Sequence, residues 1–342
     1  MTRVFVGMSG GVDSSLTAAL LVEQGYDVTG VYMKNWTQDL PGMRCPWADD
    51  LADAKRVAVQ LGISFRVYDF QKQYKEYVVD YMVAQYQAGR TPNPDIMCNQ
   101  EVKFQLFLKT ALDDGADMIA TGHYARVDDG HLMMAADTLK DQTYFLYRVS
   151  HRALQKTLFP LGEYKKSQVR ELALQRKLTT AAKPDSQGIC FVGSVGIKDF
   201  LSQYVVAESG DIIDRESNKT VGRHDGAIYY TLGQRHGLDL GGGLPYYVVG
   251  KDMDANVVYV SRNLNDATMF RDRIELSDVH WIDTPPHTDA DLLVRMRHRG
   301  ELLPCKLVGD VLMMQKPERA VAKGQSAVIY SGSAVLGGGF IS

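Results

Sequence analysis

The chain has 342 residues, of which 45% are hydrophobic and 23% charged, so its composition is that of an ordinary globular protein long enough for two or three domains. The formal net charge of −3 provides no overall attraction for nucleic acid, and any RNA binding has to come from local basic surfaces. The 4 cysteines are scattered without a CxxC pair, which excludes a disulfide framework and a zinc-finger spacing. The sequence shows neither a signal segment nor an apolar run of transmembrane length, so we expect a cytoplasmic protein without membrane contacts.

The first predicted elements are a buried strand at 4–6, a glycine-rich turn and the N-terminus of a helix at 16–21. Glycines in such a turn allow a ligand to approach the backbone, and the free N–H groups at a helix N-terminus attract an anion. The turn therefore predicts a phosphate site formed by Gly7, Met8, Ser9, Gly10, Gly11, Val12, Asp13 and Ser14.

This turn differs from the usual nucleotide P-loop because it lacks the lysine that holds the β- and γ-phosphates. A carboxylate beside a triphosphate requires a divalent cation between them, so we predict that Asp13 contacts Mg²⁺ on a departing pyrophosphate. The alternative is an ordinary turn in which Asp13 or Ser14 caps the helix. The string SGGVDSS favours the first interpretation, because it resembles the PP-loop of the N-type ATP pyrophosphatases, which split ATP into AMP and pyrophosphate.

Strand-like and helix-like runs alternate from this turn to about residue 150. Strands are predicted at 28–33, 65–70 and 118–121, and helices at 49–61, 71–87 and 99–112. The alternation predicts an α/β fold with a parallel, doubly wound sheet that binds ligands at the carboxyl ends of its strands. Met33 and Gly122 lie at two of these ends, where they flank an adenine and ribose or are simply a core residue and a turn.

Two prolines, Pro92 and Pro94, hold an extended loop that leads Asp95 and Cys98 to the start of the next helix. Residues at i and i+3 meet on one face of a turn, and a helix N-terminus lowers the pKa of a thiol while the carboxylate opposes that shift. The pair predicts a nucleophile, Cys98, with Asp95 as general acid/base. A buried, inert cysteine beside a helix cap is the alternative.

A second cysteine lies in a polar segment at 181–191, which follows a helix predicted at 166–176 and is punctuated by glycine and proline. Because Cys190 follows Gly188, we expect an accessible thiol on a mobile loop. Such a thiol is suited to accept sulfur as a persulfide, which the loop can bring to the ATP site.

A series of motifs resembles the bacterial tRNA-specific 2-thiouridylase family across essentially the whole chain: SGGVDSS, GRTPNPDIMCN, TGHY, KDQTYFLY, DSQGICF and YYTLGQRHGL. That family makes 2-thiouridine at the wobble position of tRNAs for Lys, Glu and Gln. The resemblance implies an ATP site at Gly7 through Ser14, Met33 and Gly122, a nucleophile at Cys98 and a persulfide at Cys190. It also implies contacts with the target base from Asn93, Pro94 and Asp95, and with tRNA from His123, Lys140, Asp141, Gln142, Arg297, His298 and Gln325. His298 is a departure, because the family often has tyrosine there.

The implied reaction adenylates the C2 oxygen of uracil, which turns a very poor leaving group into AMP. Cys190 then supplies persulfide sulfur, and attack by Cys98 leaves a Cys98–Cys190 disulfide. Two other routes stay open: hydrosulfide released from Cys190, and an iron–sulfur cluster held by Asp95, Cys98 and Cys190. The expected partners are tRNA and a sulfur-donor protein, either a cysteine desulfurase or a sulfur-relay protein.

Beyond about residue 205 the pattern changes to short alternating strands with turn signals, including hairpins at 246–260 and 325–341. We expect an N-terminal domain at 1–204, a central β-rich domain at 205–272 and a barrel-like domain at 273–342. Alternation in 293–299 predicts that Arg295, Arg297 and Arg299 share one strand face, as a row that follows phosphates or as a solvated surface.

Three classes of function are compatible with these features. The first is tRNA thiolation. The second, a small-molecule adenylating ligase of the argininosuccinate or GMP synthetase type, needs ATP but neither cysteine. The third, a non-catalytic RNA-binding protein, needs none of Asp13, Cys98 and Cys190. The two cysteines and the complete loop favour the first.

Overall fold

The computed structural model describes residues 1–39, 45–185, 196–241, 243–263, 265–287 and 290–342. The strands of the N-terminal part are β1 (Arg3–Gly7), β2 (Asp27–Lys34), β3 (Ser64–Asp69), β4 (Met118–Ala120), β5 (Arg126–Asp128), β6 (His131–Met133) and β7 (Thr157–Leu158). The helices are α1 (Val12–Glu23), α2 (Trp47–Leu61), α3 (Gln71–Tyr74), α4 (Tyr81–Gln87), α5 (Pro94–Met97), α6 (Leu108–Asp113), α7 (His151–Leu154), α8 (Lys166–Gln175) and α9 (Ile197–Leu201). Among the described helices, none combines the length and apolar character needed to cross a bilayer.

Five of these strands form one parallel sheet in the order β3-β2-β1-β4-β7. Val4 and Val6 of β1 are fully buried because helices cover both faces of the sheet, which explains the continuous apolar run in the sequence. The strand order reverses at β1, and the carboxyl ends of β1 and β4 are the expected ligand site in such a sheet. The predicted α/β class and its parallel sheet are confirmed.

The two long predicted helices of this part contain π-helical turns. Lys75–Asp80 joins α3 to α4, and Cys98–Phe107 joins α5 to α6. Runs of π-helix are rare and are frequent at functional sites. The second run begins at Cys98 and buries the side chains of Val102, Phe104 and Phe107 in the core, so the backbone at the candidate nucleophile is fixed by packing on its C-terminal side.

A four-stranded sheet follows, formed by β8 (Gly210–Asp214), β9 (Lys219–His224), β10 (Tyr247–Asp252) and β11 (Val257–Ser261) in the order β10-β11-β8-β9. The antiparallel pairing of β10 with β11 confirms the hairpin predicted at 246–260. Ile212, Val248, Val258 and Val260 fill the core of this unit, and the last two occupy alternate positions of β11 on its buried face.

The last strands are β12 (Phe270–Trp281), β13 (Leu292–Arg295), β14 (Leu303–Val308), β15 (Val311–Arg319), β16 (Ser326–Ser331) and β17 (Ala334–Ile341). Their order is β12-β15-β14-β13-β16-β17, and a further pairing of β12 with β17 closes them into a barrel. We call this unit the C-terminal barrel. The hairpin predicted at 325–341 is confirmed by the pairing of β16 with β17.

The hairpin formed by β5 and β6 belongs to the N-terminal part of the chain but joins the C-terminal barrel. Strand β6 pairs with β17, with Met133 opposite Ala334 and Leu132 opposite Val335. The two parts therefore share one sheet.

The prediction that three arginines in 293–299 share one strand face is wrong. Strand β13 ends at Arg295, and Arg299 lies in a turn with a positive φ of 61°. Arg295 is buried while Arg297 and Arg299 are exposed, because the Arg295 guanidinium forms an ion pair inside the protein with Asp141. The alternation of arginines in the sequence does not correspond to one exposed face.

Candidate active site

The glycine-rich turn connects β1 to α1, as predicted. Gly11 is the N-cap of α1 and makes no side-chain capping hydrogen bond, so the alternative in which Asp13 or Ser14 caps the helix is wrong. Instead, Ser14 Oγ accepts a hydrogen bond from the Ser9 N–H at 3.1 Å and donates to the Gly11 carbonyl at 3.2 Å. The hydroxyls stabilise the loop, and the first N–H groups of α1 stay available for an anion.

Two other predicted residues lie against this loop. A Cβ added to Gly122, after β4, would lie 2.9 Å from both the Asp13 carbonyl carbon and the Ser14 nitrogen. A Cβ added to Gly7 would lie 3.0 Å from Met33 Cε. The ends of β1, β2 and β4 thus meet at the loop, and only glycine leaves room for the backbone at 122.

Asp13 is held by two side chains from distant parts of the chain. Lys166 Nζ donates to Asp13 Oδ1 at 2.7 Å and to Oδ2 at 2.8 Å, and the Tyr124 hydroxyl donates to Oδ1 at 2.9 Å. Burial and the charge of Asp13 raise the pKa of Tyr124, so its hydroxyl remains a donor. Lys166 Nζ also lies 2.9 Å from Asp185 Oδ1.

Asp185 contacts three cations. Besides Lys166, Lys140 Nζ lies 3.0 Å from Asp185 Oδ2 and Arg170 NH2 lies 2.6 Å from Oδ1. Burial opposes the charge of this carboxylate, but hydrogen bonds from Lys166 and Lys140 outweigh it and lower the pKa of Asp185 to about 2. The carboxylate is therefore ionised across the physiological pH range.

A neighbouring set of ion pairs fixes the loop from the side of α2. Lys183 Nζ lies 2.7 Å from Asp50 and 2.6 Å from Asp53, and Arg56 also pairs with Asp53. Gly10, with a φ of +74°, packs so closely on this helix that an added Cβ would lie 2.3 Å from the Asp50 carbonyl oxygen. We call the whole set the charged cluster: Asp13, Asp50, Asp53, Asp185, Arg56, Lys140, Lys166, Arg170 and Lys183.

Sequence reasoning missed most of the residues around Asp13, among them Tyr124, Lys166 and Asp185. Tyr124 and Asp185 lie within the motifs TGHY and DSQGICF. These motifs indicated the family but did not show that the two side chains belong to the site around Asp13. Lys166 gave no local signal, because it lies 153 residues after the carboxylate that it contacts.

The loop at 90–93 leads to the candidate nucleophile, Cys98. Asn93, the last residue of this loop, is the N-cap of helix α5. The Asn93 side-chain oxygen accepts from the Asp95 N–H at 3.1 Å, so the predicted base contact also caps α5. Burial raises the pKa of Asp95, and the charge of Lys103 partly opposes this rise. Cys98 is buried and is the first residue of the π-helical run Cys98–Phe107. A carboxyl with a raised pKa one turn before the thiol suits proton transfer.

His123 lies beneath the surface beside this site. Its Nδ1 is 2.7 Å from Thr121 Oγ1, its Nε2 is 3.4 Å from Lys103 Nζ, and its ring packs against Phe104 and Phe159. Burial, with Lys103 in support, lowers the pKa of His123 well below its ordinary value, so the imidazole is neutral. Contact with tRNA through this ring stays a prediction.

Asp141 lies inside the protein, between its N-terminal part and the C-terminal barrel. Its carboxylate is fully buried, accepts from the Thr143 hydroxyl at 2.7 Å and lies 3.0 Å from Arg295 NH1. It joins the N-terminal part to the C-terminal barrel, and the contact of this position with tRNA stays a prediction. The adjacent Gln142 accepts from the Tyr124 N–H at 2.9 Å, which helps to position the Tyr124 backbone beside Asp13.

The other predicted tRNA contacts lie on the C-terminal barrel. Arg297 has an exposed side chain that donates to the Arg319 carbonyl, and the His298 ring lies 4.5 Å from the Phe145 ring. Gln325 Nε2 donates to the Thr91 carbonyl at 2.7 Å, so it contacts the loop that leads to Cys98. Cys190 lies outside the described residues, and so does any pairing with Cys98.

Comparison with known proteins extends these observations to the whole chain. Three family models match: a "tRNA methyl transferase HUP domain" at residues 2–194, a "tRNA methyl transferase PRC-barrel domain" at 198–262 and an "Aminomethyltransferase beta-barrel domain" at 271–341. The tRNA-specific 2-thiouridylase MnmA of Bacillus subtilis (strain 168) is 45% identical over 352 residues, covering 99% of this chain and 95% of the relative. The chain belongs to the tRNA-specific 2-thiouridylase family.

Two further relatives support this family. The MnmA of Bacillus licheniformis is 47% identical over 353 residues, and that of Enterococcus faecalis (strain ATCC 700802 / V583) is 44% identical over 356 residues. Each covers 99% of this chain and 95% of the relative. The HUP-domain model at residues 2–194 includes the loop between β1 and α1.

Proposed function

We propose that the protein is an ATP-dependent tRNA-uridine 2-sulfurtransferase that thiolates C2 of the wobble uridine. The observation that supports this most strongly is the full-length identity of about 45% with tRNA-specific 2-thiouridylases. The names of all three matching family models mention methyl transfer. Methyl transfer requires neither a phosphate-binding loop nor a thiol, and this chain has both.

The site fits ATP. The uncapped N-terminus of α1 offers N–H donors to the phosphates, and Gly122 leaves the space beside them that any larger residue would fill. Bound ATP supplies the adenylate that activates the C2 oxygen of uracil. The loop residues bind and orient its phosphates, and Met33 and Gly122 lie where the strand ends open toward the nucleoside.

The charges around the loop support a role for Mg²⁺. The charged cluster contains five cations and four carboxylates, an excess of one positive charge. A triphosphate brings several negative charges, so a divalent cation is needed in addition. Asp13 belongs to the loop itself and is the proposed Mg²⁺ contact. Its carboxylate is paired with Lys166, so a metal ion at Asp13 has to replace that partner.

For the sulfur step we propose Cys98 as the nucleophile, Asp95 as general acid/base and Cys190 as the persulfide carrier, loaded by a sulfur-donor protein. The raised pKa of Asp95 supports its role, because the rise brings this carboxyl closer to the pH range in which a general acid/base exchanges protons. Within the described part of the chain, no group of three His, Cys, Asp or Glu side chains is arranged to hold a metal. The iron–sulfur alternative depends on Cys190 and stays a prediction.

We propose that tRNA lies across the C-terminal barrel and the loop at 90–93. Arg297, His298 and Gln325 are accessible there, and Gln325 reaches the loop directly. This arrangement allows the barrel to hold the anticodon arm while the base enters the site. Domains at 1–204, 205–272 and 273–342 remain our proposed division of the chain.

The test is a thiolation assay with tRNA of the Lys, Glu or Gln type, Mg-ATP, cysteine and a cysteine desulfurase, read as 2-thiouridine by mass spectrometry. We expect product with the wild type and none with Cys98→Ser or Cys190→Ser. Cys305→Ser is the matched control, because burial in the barrel raises the pKa of the Cys305 thiol to about 11 and makes it unreactive.

Other outcomes distinguish the alternatives. Full activity of Cys98→Ser would favour direct attack by hydrosulfide. Release of AMP by the wild type without any thiouridine would overturn the proposal and favour a small-molecule adenylating ligase.

A further inference from the structure

Lys166 is the first residue of α8, and packing fixes this helix against the phosphate loop. Val169 and Ala173 on the buried face of α8 belong to the same apolar cluster as Leu16 and Leu20 of α1. Because α1 begins at the loop, this packing sets the position of Lys166 relative to it. The Lys166 side chain is only 13% exposed.

The partners of Lys166 are unequal. Its ammonium contacts both oxygens of Asp13 and one of Asp185, so carboxylates use all three N–H donors. Asp185 keeps Lys140 and Arg170 if Lys166 leaves. Asp13 has no second ion-pair partner among the described residues. Lys166 is therefore the cation whose position depends on the charge of Asp13.

We propose that Lys166 is the phosphate-binding lysine that the loop itself lacks, and that it contacts the pyrophosphate portion of ATP when a divalent cation takes over Asp13. The inference rests on the proposed function only for the use of ATP. In this exchange Asp13 trades the Lys166 ammonium for the divalent cation, and the ammonium trades the Asp13 carboxylate for a phosphate oxygen, so neither group is left without a partner of opposite charge. The Tyr124 ring, 5.7 Å from Nζ, provides a cation–π contact that the ammonium can retain in either position.

A purely structural role for Lys166 would be to neutralise Asp13. The two roles differ in a double-mutant comparison, because removal of both partners eliminates the unpaired charge. If Lys166 is structural, the variant Asp13→Asn with Lys166→Met recovers the thermal stability lost by Lys166→Met, and Lys166→Met weakens AMP and ATP binding equally. If Lys166 binds phosphate, Lys166→Met lowers the preference for ATP over AMP. Because Asp13 is itself the proposed Mg²⁺ contact, the double variant is used for thermal stability alone.

The experiment measures the dissociation constants of Mg-ATP and AMP by calorimetry, together with the melting temperature. We expect Lys166→Met to weaken ATP binding by about tenfold or more, as for the loss of a hydrogen bond between charged groups, with little change for AMP. Lys166→Arg, which keeps the charge, should recover part of the ATP affinity. Lys165→Met is the matched control, because Lys165 is next to Lys166 in the sequence but has an exposed side chain.

Equal weakening of AMP and ATP, or unchanged ATP affinity in a folded Lys166→Met, would overturn the proposal. Failure of the proposed function looks different, because the wild type itself would then not bind ATP or would make no 2-thiouridine. A wild type that thiolates tRNA beside a Lys166→Met that binds ATP normally rejects only the role of Lys166.

Discussion

Gln325 of the C-terminal barrel donates its side-chain N–H to the carbonyl oxygen of Thr91 at 2.7 Å, across 234 residues of sequence. The N–H of Thr91 donates in turn to the Lys323 carbonyl at 2.8 Å, and the Thr91 hydroxyl lies 3.2 Å from that of Thr231 in the central part of the chain. Both β-rich parts thus hold the loop that leads to Asp95 and Cys98.

The first prediction concerns this contact. Gln325→Ala removes one hydrogen bond, worth about 0.5–1.5 kcal/mol, and frees the Thr91 carbonyl. We expect a loss of roughly two- to tenfold in kcat/KM for tRNA thiolation with an almost unchanged melting temperature. Gln315→Ala on an exposed face of the same barrel is the control. An unaffected kcat/KM would show that the loop keeps its position without Gln325.

The buried ion pair between Asp141 and Arg295 provides a stability test. Asp141→Ala leaves the Arg295 charge buried, and we expect the free energy of unfolding to fall by about 3–5 kcal/mol. Adding Arg295→Met should restore part of that loss, because the unpaired charge is gone. Arg297→Met removes a surface ion pair with Glu318 and a surface hydrogen bond to the Arg319 carbonyl, and should cost about 1 kcal/mol or less. Urea unfolding measures all four proteins.

The substitution Gly122→Ala tests whether the phosphate loop needs the space that glycine leaves beside it. Gly122→Ala places a methyl group 2.9 Å from the backbone of Asp13 and Ser14, so the loop has to shift. We expect a destabilisation of about 1–3 kcal/mol and a clear loss of ATP affinity, checked by melting and calorimetry. Gly241→Ala is the control, because an added Cβ there meets no atom within 4 Å. Normal ATP binding by Gly122→Ala would contradict the placement of the nucleotide.

Asp95 predicts a pH dependence of stability. Burial holds its pKa above the ordinary value of 3.8, so ionisation costs the folded protein stability once the pH exceeds that value. At pH 7 the free energy of unfolding of Asp95→Asn should therefore exceed that of wild type by about 1.4 kcal/mol for each unit by which the pKa is raised, which appears as a higher melting temperature. The gain should vanish as the pH falls toward 3.8.

The opposite sign is expected for Asp69. Its hydrogen bond with Gln71 lowers its pKa, so Asp69→Asn should be less stable than wild type at pH 7.

The prediction for Asp95 is contradicted if Asp95→Asn melts at a lower temperature than wild type at pH 7. That result would show that the Asp95 carboxylate has a stabilising partner.

The sequence was sufficient for features that depend on neighbouring residues. The strands at β1 to β4 and the helix at α8 follow from apolar periodicity, and the turn at Gly10 and Gly11 follows from residue types with a known backbone preference. The two hairpins in the β-rich parts were equally readable, because each has a turn signal between alternating strands.

Long-range charge pairing was not predictable in this way. Arg295 looked like a surface residue because its partner, Asp141, lies 154 positions earlier, and the Lys166 contact with Asp13 spans a similar separation. Strands β5 and β6 were missed since three residues each are too few for a periodic signal. Local patterns carry no information about which distant charges meet.

The pairing of β6 with β17 has a consequence for synthesis of the protein. Met133 pairs with Ala334, so about 200 further residues are synthesised after β6 before its partner strand exists. At ordinary translation rates this synthesis takes on the order of 10–40 s. The hydroxyls of Tyr144 and Tyr147 bond to Ser326 of β16 and wait almost as long. A nascent chain exposes these aromatic rings throughout that interval, and a copy truncated before β16 would present them to chaperones and proteases.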